Sequence, residues 1–246
     1  MTVPDYAAAP FPVRKDLADA HRRAWERLAR PGRWWSGADR LAIAHEVRAA
    51  PACGFCHRAA EALSPFAVEG AHDTASRLPA PAVDAIHRIR NDASRLTENW
   101  YQGLLAQGLP EGQYVELVGV MATVLAVDEF CRAMDLPAFA LPDAEPGEPS
   151  RIRPAGARHG LAWVPTLAPE DVTDDDPDLY AGLGAVNIHR ALSLVPEEVI
   201  GFFDLDTAQY LPDAVLRDFG REYRDLTHAQ IEFLAARISA LNRCVY

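Results

Sequence analysis

The feature that most constrains the fold of this chain is a long apolar segment at residues 114–134. Its side chains are hydrophobic nearly all round, which is typical of a helix buried on every side. Shorter segments on both sides repeat apolar residues at helical spacing, and prolines and glycines separate them. Runs of β-branched residues are short and do not alternate with polar ones. The sequence therefore predicts an all-α protein with one buried central helix.

Residues at the segment ends predict where the helices begin and end. Ser36, Thr97 and Thr227 are suitable N-caps, and Gln230 completes a capping box with Thr227. Prolines 51 and 110 and Gly108 mark other boundaries. The predicted helices cover approximately residues 15–30, 36–50, 53–63, 81–93, 97–108, 110–134, 185–194, 196–206 and 227–241, with a further segment starting near 212.

Residues 137–177 differ in composition from the rest of the chain. They contain eight prolines and few periodic apolar residues, a pattern that favours an extended connector over an independently folded unit. Trp163 and Val164 are expected to attach this connector to the helical body.

Charge and hydropathy exclude several classes of function. The 246-residue chain has a formal net charge of −11, which gives no electrostatic support to nucleic-acid binding. The sequence contains no run of 18 apolar residues that could span a membrane, and its first residues lack the features of a signal peptide. We therefore expect a cytoplasmic protein, in which disulfides are usually transient and catalytic.

The strongest local motif is Cys53-Gly-Phe-Cys56-His57, at the predicted start of a helix. Two thiols three residues apart can close a disulfide, and a helix N-terminus stabilises the thiolate form. Glu46 precedes the motif on the neighbouring helix, where a carboxylate can help to move protons. The motif predicts a redox-active dithiol.

Other interpretations of the motif remain open at this stage. The two cysteines can be inert buried residues, or half of a zinc site completed by His45, His57 or His72. His72 lies in a predicted loop and is therefore the histidine most free to point into a site.

Polar residues elsewhere also carry expectations. Histidines 21, 159 and 228 are expected at the surface, and His87 lies near the dithiol in sequence. Glu116, inside the apolar helix, must be paired, for example with an arginine, or must serve the site.

Several segments resemble the peroxidase-related branch of the alkylhydroperoxidase-D / carboxymuconolactone decarboxylase superfamily. They are residues 96–101 (Leu-Thr-Glu-Asn-Trp-Tyr), residues 108–120, the Cys-x-x-Cys motif, and residues 187–194 and 232–246. The resemblance covers roughly residues 36–135 and 183–246. It implies an alkylhydroperoxidase-D-like helical bundle in residues 1–142, the proline-rich connector in 143–177, and a second, truncated unit of the same kind in 178–246.

The resemblance also implies catalytic roles. Cys56 corresponds to the thiol that attacks a peroxide and Cys53 to the thiol that then closes the disulfide, while a glutamate and a histidine relay protons. Here Ala60 stands four positions after Cys56, where the family has its histidine, and Glu46 lies closer to the motif than the usual glutamate.

The second unit has only part of the signature. Glu232 and Cys244 have the family spacing, but the given sequence ends at Tyr246, one residue before a second cysteine is due. A natural end, a truncated sequence, and a UGA codon for selenocysteine translated as a stop are all open explanations. The gene sequence beyond residue 246 distinguishes them.

Together, these features predict a peroxidase-like or thiol-disulfide oxidoreductase that uses Cys56 and Cys53, assisted by Glu46, His72 and His57. No cofactor or metal is expected. The expected partners are a small hydroperoxide, a dithiol reductant protein or small thiol, and further copies of the chain in a dimer or larger homo-oligomer. The alternatives are a non-redox decarboxylase-like enzyme and a catalytically inert binding or assembly protein on the same fold.

Overall fold

A computed structural model describes residues 4–184 and 186–244, and within them the regular structure is helical, as predicted. The helices are α1 (Lys15–Ala29), α2 (Gly37–Ala49), α3 (Gly54–Glu61), α4 (Ala80–Asp92), α5 (Glu98–Ala106), α6 (Glu111–Ala133), α7 (Asn187–Arg190), α8 (Pro196–Gln209) and α9 (His228–Leu241). In this part of the chain the β structure is limited to one isolated antiparallel bridge, between Arg158 and Thr166.

The predicted N-caps are confirmed. The side chains of Ser36, Thr97 and Thr227 each accept a backbone N–H of the following helix, and Ser36 and Thr227 form complete capping boxes. Each cap satisfies a backbone donor that the first helical turn leaves without a partner. Local sequence therefore determines where α2, α5 and α9 begin.

Helix α6 is the buried central helix. Val120, Val124 and Val127 are fully buried, and α6 packs against α1, α2, α4 and α8. The prediction of a core helix apolar on all sides is confirmed because neighbours cover it from several directions.

The proline-rich segment is irregular, as expected, but it is not confined to the surface. Leu167 is fully buried with Leu179 and Val199, and the Trp163 ring stacks on Tyr101 at 6.3 Å between centroids. Backbone in this segment is partly satisfied by the bridge at Thr166, which allows a non-helical stretch to reach the interior.

The segment after the connector departs from the sequence prediction in one element. The helix predicted at about 185–194 begins at a residue outside the described ones, and the structure has only the four-residue α7. Helix α8, by contrast, extends beyond its predicted end at 206 and packs against α1 and α6. The proposed division into two units remains a prediction, and the chain end at Tyr246 lies outside the described residues.

Two histidines expected at the surface are buried. His21 on α1 is 0% exposed and His228 at the start of α9 is 3% exposed. His21 fits inside because Tyr6 and Gln209 hydrogen-bond its ring nitrogens.

Glu116 is paired with an arginine, one of the two outcomes anticipated for it. Its carboxylate accepts from Arg40 at 2.6 Å, and the same arginine nitrogen reaches Glu198 on α8 at 2.7 Å. All three side chains are at most 2% exposed. This buried ion cluster joins α2, α6 and α8.

None of the helices in the described ranges is both long and apolar enough to cross a lipid bilayer.

Candidate functional site

Four side chains with metal-binding or nucleophilic atoms converge beside the start of α3. They belong to Cys53, Cys56, His72 and His87, and their sulfur and ring nitrogen atoms all lie within 4.8 Å of one another. The two cysteines come from the start of α3, His72 from the loop between α3 and α4, and His87 from α4. The cluster therefore depends on how three segments pack together.

Cys53 occupies the N-cap position of α3. Its sulfur accepts the backbone N–H of Cys56 at 3.5 Å and that of Asp73 at 3.4 Å. Pro51, in the preceding 3-10 turn, helps to end α2 and to direct the chain into α3. The Asp73 carboxylate in turn accepts the backbone N–H of Gly54 at 2.7 Å, which ties the loop to the helix start.

His72 lies between the thiols and a carboxylate. Its Nδ1 is 3.4 Å from the Cys56 sulfur and 3.9 Å from the Cys53 sulfur, and its Nε2 is 2.9 Å from Asp84. Arg88 and Trp100 also donate hydrogen bonds to the Asp84 carboxylate. Asp84 is thus fixed in place and orients the His72 ring.

His87 forms a second chain of the same kind. Its Nδ1 is 3.3 Å from the Cys56 sulfur, and its Nε2 is 2.8 Å from Glu46 on α2. Thr74 and the backbone N–H of Ala75 also donate to the Glu46 carboxylate. His87 and Glu46 are both fully buried, so this chain runs through the protein interior.

The environment makes the two thiols unequal. Burial acts to raise the pKa of Cys53, but the backbone N–H donors of Asp73 and Cys56, together with His72, outweigh it and lower the pKa to about 6. Burial and the neighbouring Cys53 raise the pKa of Cys56 to about 12. The pair shares its protons, and the first one lost leaves the negative charge on Cys53.

The partners of the thiols are also perturbed. Burial lowers the pKa of His72, but Asp84 and Cys53 outweigh it, so that the net shift is upward. Burial raises the pKa of the Glu46 carboxyl, yet hydrogen bonds from the loop around Thr74 and from His87 bring it below its usual value. Glu46 and Asp84 therefore both favour the ionised form, which accepts hydrogen bonds from the ring N–H groups of His87 and His72.

Both sulfurs are nearly covered. Cys53 is 1% exposed and Cys56 5% exposed, while the adjacent His57 and Asp73 are exposed. The cluster therefore lies directly beneath the protein surface.

Most of these side chains were predicted from the sequence. The structure brings Cys53, Cys56, Glu46 and His72 together. It does not bring His57 to them, since the His57 ring is exposed and its Nε2 lies 2.8 Å from the carbonyl of Pro51. The other two cysteines, Cys131 and Cys244, are free and outside the cluster.

Two members of the site were missing from the predicted set. His87 and Asp84 lie three residues apart on α4 and so share one face of the helix. A signal was available, because His87 sits among the apolar residues Ala82, Val83 and Ile86, where an unpartnered imidazole is costly.

A comparison of the chain with family models, with curated proteins and with solved structures gives no match.

Proposed function

We propose that the protein is a thiol peroxidase that reduces small hydroperoxides with the Cys53–Cys56 dithiol. The observation that supports this proposal most directly is the chain from the Cys56 sulfur through His87 to Glu46, with contacts of 3.3 and 2.8 Å. An imidazole between a thiol and a carboxylate can accept the thiol proton and later return it, as in other activated nucleophiles.

The contacts from Cys56 through His87 to Glu46 also replace a feature that is missing from the family resemblance. The resembling family places a histidine where this sequence has Ala60, and here His87 comes from α4 to lie beside Cys56 instead. We therefore infer an alkylhydroperoxidase-D-like bundle in which a different helix provides the relay histidine.

The first step is an attack on the peroxide. Cys56 transfers its proton to His87 Nδ1 while its sulfur attacks the terminal oxygen of ROOH. The O–O bond breaks, Cys56 becomes a sulfenic acid, and the protonated imidazole delivers the proton to the leaving alkoxide to give ROH. We assign attack to Cys56 because it has the relay and the greater exposure, although the lower pKa makes Cys53 the resting thiolate.

The second step closes the disulfide. The Cys53 thiolate attacks the Cys56 sulfenic sulfur, the S–O bond breaks, and hydroxide leaves as water with a proton from His72. An external dithiol then reduces the disulfide by thiol-disulfide exchange. The near-complete burial of both cysteines favours a small hydroperoxide and a reductant that reaches the exposed edge of the site at His57 and Asp73.

Peroxide consumption by the reduced, chelator-treated protein tests this function, with dithiothreitol as the reductant. We expect the wild type to consume peroxide, Cys56→Ser to lose the activity, and Cys244→Ser to retain it because Cys244 lies outside the cluster. Trapping with dimedone in Cys53→Ser should label Cys56, since the resolving thiol is absent. A wild type no faster than the reductant alone overturns the proposal.

The relay has its own test. Glu46→Gln keeps a hydrogen-bond acceptor for His87 but removes its charge, so we expect kcat to fall by about 10²–10⁴-fold, the usual contribution of proton transfer. His45→Gln is the matched control, because His45 neighbours Glu46 on α2 but is exposed. Equal rates for Glu46→Gln and the control contradict the relay.

We also propose that the working form is a homo-oligomer. Several apolar side chains of α9 are exposed, among them Phe233 at 72% and Leu241 at 63%. A second copy offers the same apolar surface, so that a two-fold contact covers both.

A further inference from the structure

We propose that the reduced protein binds one zinc ion through Cys53, Cys56, His72 and His87. This inference goes beyond peroxide reduction, since it concerns the resting dithiol and does not require turnover. Two sulfurs and two imidazole nitrogens form one of the ligand sets that zinc takes in structural sites. The sequence motif alone offers half of such a set, and the fold adds His72 and His87.

The distances between the ligand atoms fit a tetrahedral ion. With zinc bonds of about 2.3 Å to sulfur and 2.0–2.1 Å to nitrogen, a tetrahedron places sulfur and nitrogen about 3.6 Å apart. Three of the four sulfur–nitrogen distances in the cluster are 3.3, 3.4 and 3.9 Å, and all the ligand atoms lie within 4.8 Å of one another. The four atoms therefore need only small adjustments to surround an ion.

The orientation of both imidazole rings also supports a zinc site. His72 and His87 each direct Nδ1 at the sulfurs and Nε2 at a carboxylate, Asp84 and Glu46 respectively. A carboxylate on the far nitrogen holds the proton there and leaves the near nitrogen free to bind a metal, which is the usual outer arrangement of zinc-bound histidines. Finding it twice in one cluster distinguishes this site from a chance gathering of polar groups.

Charge and closure favour zinc among the divalent ions. Two thiolates neutralise the 2+ charge, and thiolate with imidazole selects zinc over the oxygen-seeking magnesium and calcium. Four protein ligands leave no open position, and both cysteines are at most 5% exposed. The ion would thus join the His72 loop to α3 and α4 in a closed site.

Zinc binding and oxidation of the dithiol exclude each other, a consequence that rests on the proposed function. One hydroperoxide with two protons converts the zinc-bound dithiolate to the disulfide, ROH, water and free Zn²⁺. Two of the four ligands are then lost, so oxidation should release the ion. The site would act as a zinc store or lock that opens under oxidant.

Metal analysis of the full-length reduced protein tests the inference. After loading with zinc alone and removal of excess ion by dialysis, we expect one zinc per chain in the wild type and in His45→Ala and Cys244→Ser. We expect loss of zinc in the Cys53→Ser/Cys56→Ser variant and in His87→Ala. Cobalt loaded in place of zinc should show thiolate-to-metal charge transfer and the strong visible bands of a tetrahedral site.

A milder variant keeps the test decisive if ligand variants fold poorly. Asp84→Asn retains all four ligands but weakens the carboxylate behind His72, so zinc affinity should fall by about 10–100-fold in competition with a metallochromic chelator. Asp92→Asn, on the same helix but paired with Arg95, is the matched control. Equal affinity of these two variants, or wild-type zinc content no higher than that of the double cysteine variant, overturns the inference.

The two proposals fail separately. Peroxide turnover by chelated protein without zinc uptake removes the zinc site and leaves the peroxidase. Zinc uptake without peroxide turnover removes the peroxidase and leaves a zinc protein.

Discussion

At the scale of single residues, His21 shows how packing can hold an ionisable group neutral. The ring is fully buried, and the rings of Tyr6 and Phe130 lie against it. Burial lowers the pKa of His21 from 6.5 to about 4. The folded protein therefore accepts only a neutral imidazole at this position near pH 7.

The pKa shift of His21 gives the stability a defined pH dependence. Because the folded-state pKa is depressed, the unfolded chain binds the proton first as the pH falls below 6.5, and stability is lost down to about pH 4. The full loss corresponds to on the order of 3 kcal/mol. We expect His21→Gln, which cannot titrate, to flatten this part of the curve of unfolding free energy against pH, as measured by urea denaturation.

His45→Gln provides the comparison for that measurement, since it removes an exposed histidine from α2. Its curve should run parallel to that of the wild type. If the His21→Gln curve does so too, burial of a neutral ring at this position is not what sets the acid sensitivity.

At the scale of helices, two ion pairs connect α8 to the rest of the body in different surroundings. Arg40 on α2 forms an ion pair with Glu198 in the interior, whereas Arg23 on α1 forms a bidentate salt bridge with Asp204 at the surface. The side chains of Arg40 and Glu198 are each at most 2% exposed, whereas those of Arg23 and Asp204 are 53% and 34% exposed. Their contributions to stability should differ because water screens only the exposed pair.

Removing each arginine measures this difference. Arg40→Met leaves Glu116 and Glu198 as buried carboxylates without their partner, so we expect a loss of about 3–5 kcal/mol in the free energy of unfolding. Arg23→Ala should cost less than about 1 kcal/mol. Chemical denaturation of both variants checks the ranking, and equal losses would mean that Arg40 is not essential to the buried cluster.

Helix boundaries could be predicted from sequence where a local residue sets them. Ser36 and Thr227 cap their helices by contacts within three residues, so the pattern contains the information. The short α7 could not be foreseen, because burial of His189 and Ser193 against other segments decides the fold there.

The candidate site likewise has a part that local sequence specifies and a part that depends on contacts between distant segments. The Cys53–Cys56 pair is a local motif, and its position at a helix start was predicted. Asp84 and His87 join it only because α4 packs against α3, a contact between segments about thirty residues apart that no local spacing specifies.

At the scale of the whole molecule, α9 differs from the other long helices. Its apolar side chains Leu234, Ile238 and Leu241 are 50–63% exposed. Helix α9 is held to the body at its first turns, where Tyr210 donates a hydrogen bond of 2.5 Å to Glu232. The remaining apolar face is available to another copy of the chain.

Self-association through α9 is therefore the last prediction. Analytical ultracentrifugation should show a wild-type dimer or larger species whose proportion rises with protein concentration. Phe233→Asp/Ile238→Asp places two charges in the apolar face and should shift the protein to the monomer, because a charge buried without a partner opposes association. Ser239→Asp adds a charge at an exposed polar position of the same helix and should leave the assembly intact. A wild type that sediments as one chain at all concentrations would show that α9 is not a contact between copies.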